Sequence, residues 1–207
     1  MGCNNNIKKE SKDDKMNSNN PNDSAYSVVK EVSIDGIDQW EFRGIEMLKT
    51  DMIFNDKEVY KITVIDHIET YTFVAINNVK IAYTGGKYRI SLIVKPNKEK
   101  SNFGIRIQEV YPTRFDVVFD FFNEKVRGTF KNGDFTEAEV ASIELLEEGW
   151  YKCTIEAEIN ASYFRLLFGP SDVLEQQTRS WESELLNNKE REILIIPSSV
   201  KVEELND

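Results

Sequence analysis

Carboxylates are the most numerous side chains in this sequence that could do chemistry. The chain of 207 residues carries 36 acidic side chains and one histidine. Asp116 and Asp120 lie on one face of a predicted strand, which places them about 13 Å apart at roughly 3.3 Å per residue. Retaining glycosidases need two carboxylates about 5 Å apart, and inverting ones need roughly 6.5–9.5 Å. The spacing therefore argues against hydrolysis by this pair, and we expect the chain not to be an enzyme.

The remaining catalytic and metal-binding groups are few. His67 is the only histidine, and no Gly-x-Ser-x-Gly turn accompanies it, which argues against a serine hydrolase. One histidine and two distant cysteines also argue against a zinc site. The acidic loops 35–38 and 55–58 offer oxygen ligands for calcium, but neither has EF-hand spacing. Each loop is therefore either a solvated turn or a calcium site. We expect no cofactor, with a structural calcium ion as the alternative.

The elements that must position any site have the pattern of strands. From Ser27 onward, apolar and polar residues alternate in short segments separated by Gly, Asn, Asp and Pro clusters. This predicts an all-β, antiparallel two-sheet sandwich of the jelly-roll type over 27–207. The segment 172–191 breaks the pattern and predicts either one short amphipathic helix near 172–188 or a long capping loop. The predicted strands are 27–34, 39–47, 58–65, 69–83, 87–95, 103–110, 114–122, 125–130, 138–146, 150–159, 162–168 and 192–204.

The alternation also assigns side chains to the two faces of each strand. It places Cys153 among the core residues, where a thiol is buried and inert. The residues predicted to face inward are Tyr88, Ile90, Leu92, Val94, Phe103, Ile105, Ile107, Phe115, Val117, Phe119, Phe121, Tyr151, Cys153, Ile155, Ala157 and Ile159.

Two segments carry a resemblance to known domains. The segment GKYRISLIVKP at 86–96 resembles a recurrent strand of jelly-roll carbohydrate-binding domains. The segment EGWYKCTI at 148–155 is similar to the "GWYRC" strand of such domains in phage tail and head fibres. The resemblance extends over about 58–204. It implies a β-sandwich with one concave sheet, in some cases with a structural calcium ion, that binds glycans without cleaving them.

Recognition of a sugar requires flat aromatic rings and planar polar side chains. Outward positions supply both, and a solvated outer sheet face is the alternative interpretation of the charged ones. The alternative for Trp150 is a packing residue that seals an edge of the sandwich, and Trp181 either packs against another segment or awaits a ligand. Tyr111 is a further candidate platform, and Asp120 and Glu156 are further polar candidates. The predicted ligand-binding residues are Arg89, Arg106, Gln108, Asp116, Lys152, Trp150 and Trp181.

Residues 1–26 are predicted to form a disordered tether, because they contain too few apolar residues to bury. Gly2 and Cys3 followed by an Asn-rich stretch resemble the start of a mature bacterial lipoprotein, which implies a lipid on Cys3. N-myristoylation at Gly2 is an alternative, although that motif prefers Ser or Thr where this chain has Asn6. A cytoplasmic protein whose Cys3 carries no lipid is the third interpretation.

The overall charge limits the partners. A formal net charge of −10 argues against nucleic acid and against electrostatic docking on anionic lipid. We therefore expect non-catalytic binding of a polysaccharide or oligosaccharide at a bacterial cell surface, with membrane contact only through Cys3. A structural or protein-interaction domain is the main alternative, and a polysaccharide lyase or glycosidase is another. The sequence does not indicate an oligomeric state.

Overall fold

The computed structural model describes residues 27–65, 71–82, 84–97, 102–133, 135, 140–171, 178, 181–182 and 191–206. The predicted tether with Cys3, and His67, lie outside these residues. The described part of the chain contains no helix long and apolar enough to cross a membrane. Its strands are β1 Val28–Val32, β2 Glu41–Arg43, β3 Ile45–Phe54, β4 Lys57–Val64, β5 Phe73–Lys80, β6 Gly86–Pro96, β7 Asn102–Gln108, β8 Arg114–Asp120, β9 Lys125–Asn132, β10 Val140–Leu145, β11 Tyr151–Ile159, β12 Tyr163–Ser171, β13 Glu192–Ile195 and β14 Lys201–Leu205.

The strands form two antiparallel sheets, as predicted. The eight-stranded sheet has the order β1-β14-β6-β13-β4-β3, with β11 and then β10 on the other side of β6. The six-stranded sheet has the order β2-β5-β12-β7-β8-β9. β6 is central because β11 pairs along one side of it, while β14 and β13 share the other side. The predicted all-β, two-sheet sandwich is therefore confirmed.

The main core lies between the two sheets. Every residue that the alternation assigned to the interior is buried there, including Cys153, whose pKa is raised by its burial. Phe164, Leu166 and Phe168 of β12 face the same core. Burial of such a continuous apolar layer, at roughly 25 cal/mol per Å², is the main favourable contribution to folding.

Some predicted boundaries were wrong, and turns account for the differences. The predicted strand 39–47 is divided at Gly44, which has a φ of 58°. β3 then continues to Phe54 and turns into β4 through Asn55 and Asp56, both of which have positive φ. The predicted strand 192–204 is likewise divided by a 3₁₀ turn at Pro197–Ser199. The helix or loop expected at 172–188 lies outside the described residues except at Thr178, Trp181 and Glu182.

A second, smaller cluster lies on the outer face of the eight-stranded sheet and contains Trp150. This tryptophan was predicted to be either a stacking platform for a ligand or a packing residue that seals an edge of the sandwich. It is buried, and its ring packs against Phe54 with 4.9 Å between ring centroids. Val59, Leu194 and Ile196 complete the cluster. The structure agrees with the packing interpretation, because the long β3–β4 hairpin brings Phe54 and Val59 to this face.

Replacement of Trp150 by alanine should therefore lower the free energy of unfolding by about 3–5 kcal/mol, the usual loss when a buried large aromatic ring is removed. Urea denaturation followed by circular dichroism measures this change. Phe122 is an exposed aromatic residue, so Phe122→Ala is the control and should change the free energy by less than about 0.5 kcal/mol. A Trp150→Ala effect as small as that of the control would contradict the packing role.

Candidate functional site

The outer face of the six-stranded sheet brings several of the predicted site residues together. Arg106 on β7 is directly opposite Asp116 on β8, because the antiparallel register pairs the two positions. Trp181 and Glu182 come from far along the sequence and lie against the same two residues. We call Arg106, Arg114, Asp116, Trp181 and Glu182 the buried network. It contains three of the seven predicted ligand-binding residues.

Trp181 covers the middle of this face. Its side chain is fully buried and packs against Phe73, Ala75, Val118 and Leu167, which come from three different strands. The ring lies directly on Gly104, where a Cβ atom would overlap the ring atoms Cδ2 and Cε3. Glycine in the interior of a strand is typical of a site where another group approaches the backbone closely.

The polar atoms of the buried network bind one another. Arg106 Nε donates to Asp116 Oδ1 at 2.6 Å, and Arg106 Nη2 is 2.6 Å from Glu182 Oε1. The indole Nε1 of Trp181 also donates to Asp116 Oδ1, at 3.0 Å. Arg114 Nε lies 3.1 Å from Asp116 Oδ2, as an ion pair without hydrogen-bond alignment. One carboxylate is therefore shared by two guanidinium groups and an indole.

Backbone contacts hold the covering residues in place. The Thr72 amide donates to the Glu182 carbonyl oxygen at 2.8 Å, and the Ser171 hydroxyl donates to the Trp181 carbonyl oxygen at 3.1 Å. Thr72 directly precedes β5 and Ser171 ends β12. These bonds tie Trp181 and Glu182 to the ends of two adjacent strands of the six-stranded sheet.

Burial controls the protonation of Asp116. Removal from water raises the pKa of Asp116 to about 7, although the positive charges of Arg106 and Arg114 oppose this shift. Desolvation disfavours the charged form of a carboxyl group, and this effect outweighs the two attractions. Glu182 raises the pKa of Asp116 further through like-charge repulsion.

Beside the buried network the same face is open. Gln108 on β7 is paired with Arg165 on β12 and with Arg114 on β8. Gln108 is half-buried, and its side chain forms no hydrogen bond with the described residues. Two exposed rings lie near this end of the face, since Tyr163 is two residues before Arg165 and Tyr111 is in the turn between β7 and β8. We call Gln108, Arg114, Arg165, Tyr111 and Tyr163 the open row.

Arg165 is held in position by polar neighbours. Its Nε donates to Asn77 Oδ1 at 2.6 Å and its Nη2 donates to Glu41 Oε2 at 3.0 Å. Asn77 Nδ2 in turn donates to Glu41 Oε2 at 3.0 Å. The guanidinium of Arg114 is similarly placed over the ring of Phe130, 5.4 Å from its centroid. Both arginines that flank Gln108 are therefore fixed before any ligand binds.

The other predicted site residues lie elsewhere. Arg89 is on the outer face of the eight-stranded sheet and is paired with Glu156, with 2.8 Å between Nη2 and Oε1. Lys152 is on β11, opposite Glu144 and Ile93. The structure does not bring Arg89, Lys152 or Trp150 together with the buried network, because they belong to the other sheet.

The exposure expected for Arg106 and Asp116 was wrong, whereas Trp181 was expected either to pack against another segment or to await a ligand, and it packs. Alternation places the first two on the outward face correctly, but Trp181 covers that face and all three residues are buried. Sequence analysis also missed Arg114, Arg165, Glu182 and Tyr163. The one usable signal was Gly104, a glycine within an apolar strand that indicates the close approach of another group.

The two acidic loops proposed for calcium form turns. Residues 37–39 form a 3₁₀ turn, and Asn55 and Asp56 form the β3–β4 hairpin turn. Within the described ranges, no group of three or more His, Cys, Asp or Glu side chains is arranged to hold a metal ion.

Comparison with known proteins yields structural similarity only. No protein-family model and no curated protein matches the chain. One similar solved structure is the CBM22-1–GH10 portion of xylanase 10B from Clostridium thermocellum, complexed with xylohexaose, at 12% identity and a TM-score of 0.47. The alignment covers 88% of this chain but 29% of that one. Another is the mannan-recognising carbohydrate-binding module TmCBM27, at 12% identity and a TM-score of 0.42, with 89% of this chain and 99% of that one covered.

The contact between Gly104 and Trp181 can be tested by adding one methyl group. Gly104→Ala should expel the ring and lower the free energy of unfolding by about 1–3 kcal/mol, the usual cost of overpacking. Gly169→Ala is a matched control on the adjacent strand, where a Cβ atom would be 3.7 Å from Trp181 Cζ3, an ordinary contact. Urea denaturation and acrylamide quenching of tryptophan fluorescence measure the two effects. Equal stability and quenching in both variants would contradict the close contact.

The raised pKa of Asp116 predicts a pH dependence of stability. Between about pH 4 and 7 the folded chain keeps a proton on Asp116 that the unfolded chain has released, so this residue's contribution to stability falls as pH rises. At about 1.4 kcal/mol per pKa unit, the stability of the wild type relative to Asp116→Asn should fall by up to about 4 kcal/mol across this range. Urea denaturation at a series of pH values measures the difference. If the stability of the wild type relative to Asp116→Asn increased with pH, the arginines would be stabilising an ionised carboxylate instead.

Proposed function

We propose that this chain binds a polysaccharide or oligosaccharide, without cleaving it, at the open row on the outer face of the six-stranded sheet. The observation that carries the proposal is the position of Gln108. Its amide has no hydrogen-bond partner among the described residues and lies between two guanidinium groups that are already fixed. Exposed rings of Tyr111 and Tyr163 lie near the same end of the face.

These groups match the chemistry of a sugar. A pyranose ring offers adjacent hydroxyls to planar amide and guanidinium groups, and its C–H face packs on aromatic rings. Adjacent strands are about 4.8 Å apart, so side chains on three neighbouring strands can contact successive parts of one oligosaccharide. Groups that are fixed before binding lose little conformational entropy, which favours affinity from a small contact area.

The buried network supports this face in the proposal. Arg106, Asp116 and Trp181, proposed from the sequence as ligand contacts, act here as positioning residues, because they are buried. Arg114 belongs to both sets, since it pairs with Asp116 and flanks Gln108. The network therefore connects the covered part of the face to the open row.

The pairing of charges favours binding over hydrolysis. Asp116 and Glu182 are paired with Arg106, and Glu41 is paired with Arg165. Asp116 and Glu182 are also buried, so neither can contact a substrate at the open row, whereas a general base must lie within hydrogen-bond reach of the proton that it removes. Attachment of the chain to a bacterial envelope through a lipid on Cys3 stays a prediction from the sequence.

Removal of an open-row ring should weaken glycan binding without affecting stability. Tyr163→Ala should weaken retention on the polysaccharide that binds the wild type by about tenfold, equivalent to about 1.4 kcal/mol. Gln108→Ala should have a comparable effect through its lost hydrogen bonds. Native affinity electrophoresis of the full chain, with a panel of neutral and acidic soluble polysaccharides, gives the dissociation constants.

Two controls separate binding from folding. Phe122→Ala removes an aromatic ring that is even more exposed than that of Tyr163 but lies in the turn between β8 and β9, and it should leave retention unchanged. The urea midpoints of all variants should agree with the wild type. If no polysaccharide is retained by the wild type, the proposal fails and the structural or protein-interaction alternative is favoured.

A further inference from the structure

A cleft of about 570 Å³ lies at one end of the sandwich, away from the open row. It is bordered by the turn that follows β1, the β3–β4 hairpin and the 3₁₀ turn at Pro197–Ser199. It shares no residue with the buried network or with the open row. Its apolar lining consists of Ile34, Ile37, Trp40, Tyr60, Pro197 and Val200.

The charged residues of this cleft are mostly acidic. Asp35, Asp56 and Glu58 contribute three carboxylates, against a single lysine, Lys57. Glu58 is paired with Lys49, and the Tyr60 hydroxyl donates to it at 3.4 Å. Asp35 and Asp56 form no ion pair with any residue in the described ranges. Two carboxylates that form no ion pair among the described residues therefore border an apolar, partly aromatic cleft, with Lys57 as its one lining cation.

Local structure ties the turns that carry Asp35 and Asp56 to the rest of the fold. The Asp35 carbonyl oxygen accepts a hydrogen bond from Trp40 Nε1 at 2.9 Å, which ties the turn to the indole. Trp40 in turn packs edge-to-face on Phe168 of the core, with 5.6 Å between ring centroids. Asp56 has a φ of 60° and is the second residue of the tight hairpin turn. The cleft is therefore built from short turns attached to the core.

We propose that this cleft binds a small organic cation that carries an alkylated ammonium group. The alkyl groups of such a cation would contact the apolar lining, while its positive charge would face Asp35 and Asp56. An ammonium group near an aromatic face is attracted by the ring quadrupole, and the attraction is stronger when the ammonium group is desolvated. Trp40 and Tyr60 supply the rings.

Other ligand classes fit less well. An anion would meet three carboxylates, and like charges at close range are strongly unfavourable. A neutral apolar molecule would leave the carboxylates without a partner while removing part of their hydration. A bare metal ion would gain nothing from the apolar lining. Only a cation with an apolar exterior uses both features of the cleft.

Choline and its neutral analogue, in which carbon replaces the quaternary nitrogen, test the charge requirement directly. The two molecules have nearly the same shape, so a difference in affinity reports the charge. The chain contains three tryptophans, whose indole N–H signals can be followed separately by NMR. Choline should shift the Trp40 signal saturably and leave those of Trp150 and Trp181 unchanged. The neutral analogue should bind at least about tenfold more weakly.

Charge variants assign the interaction to the two aspartates. Asp35→Asn and Asp56→Asn should each weaken choline binding by about threefold, because each removes a negative charge that attracts the cation. Lys57→Gln should strengthen binding by about twofold, because it removes a positive charge that repels the cation. Raising the salt concentration should weaken binding to the wild type through screening. Glu144→Gln, an exposed carboxylate on β10, is the matched control and should have no effect.

Three results would overturn the proposal. These are equal affinity for choline and the neutral analogue, no saturable shift of the Trp40 signal, or aspartate variants that bind as tightly as Glu144→Gln. All four variants change exposed residues, so their urea midpoints should match the wild type. The Trp40 signal also reports whether the turn that follows β1 is intact. Because the cleft and the open row share no residue, failure here leaves the glycan proposal unaffected.

Discussion

Burial of the Asp116 carboxyl group is the constraint on which the outer face of the six-stranded sheet depends. A carboxylate loses several kcal/mol of hydration when it enters the interior. Its partners offset only part of that loss, since burial still raises the pKa of Asp116 to about 7. Arg106, Arg114 and the Trp181 indole supply those partners from three separate parts of the chain. The removal of any one of them would leave the others buried with an unsatisfied group. The cost of this burial therefore ties the covering segment, β7 and β8 to a single arrangement.

Trp181 satisfies two requirements of this face at once. Its ring fills the space above Gly104, where the absence of a side chain would otherwise leave a depression, and its N–H group binds the carboxyl group beside that space. An aromatic ring with one polar atom is well suited to a position that is apolar on one side and polar on the other. The ring divides the face into a covered part and an open part. Arg114 contacts both, so the buried charges and the open row are structurally coupled.

The sequence predicted the layers of this protein better than the site on them. Period-2 alternation identified the inward residues of β6, β7, β8 and β11, because burial between two sheets imposes that pattern directly. Alternation cannot show whether an outward face meets solvent or another segment. It therefore placed Arg106 and Asp116 on the correct face of the sheet, but the prediction that they are exposed was wrong. Trp181 is 65 residues from Asp116 in the sequence, and no local pattern encodes their contact. The two interpretations of Trp150, a stacking platform or a packing residue, stayed open for a similar reason, because its partner Phe54 comes from a distant hairpin.

The distribution of charge distinguishes the two surfaces. The chain has a formal net charge of −10, yet near the open row Asp116, Glu182 and Glu41 are paired with guanidinium groups, and Glu109 accepts hydrogen bonds from the backbone amides of Asn160 and Ala161. Such a locally balanced surface neither attracts nor repels ions strongly, which suits a ligand that is recognised through hydroxyl groups. At the cleft, Asp35 and Asp56 have no such match, and the local field is negative. The same acidic composition can therefore support selectivity for a neutral ligand at one surface and for a cation at the other. Pairing with arginine determines the electrostatic field that a ligand meets, and the number of carboxylates does not.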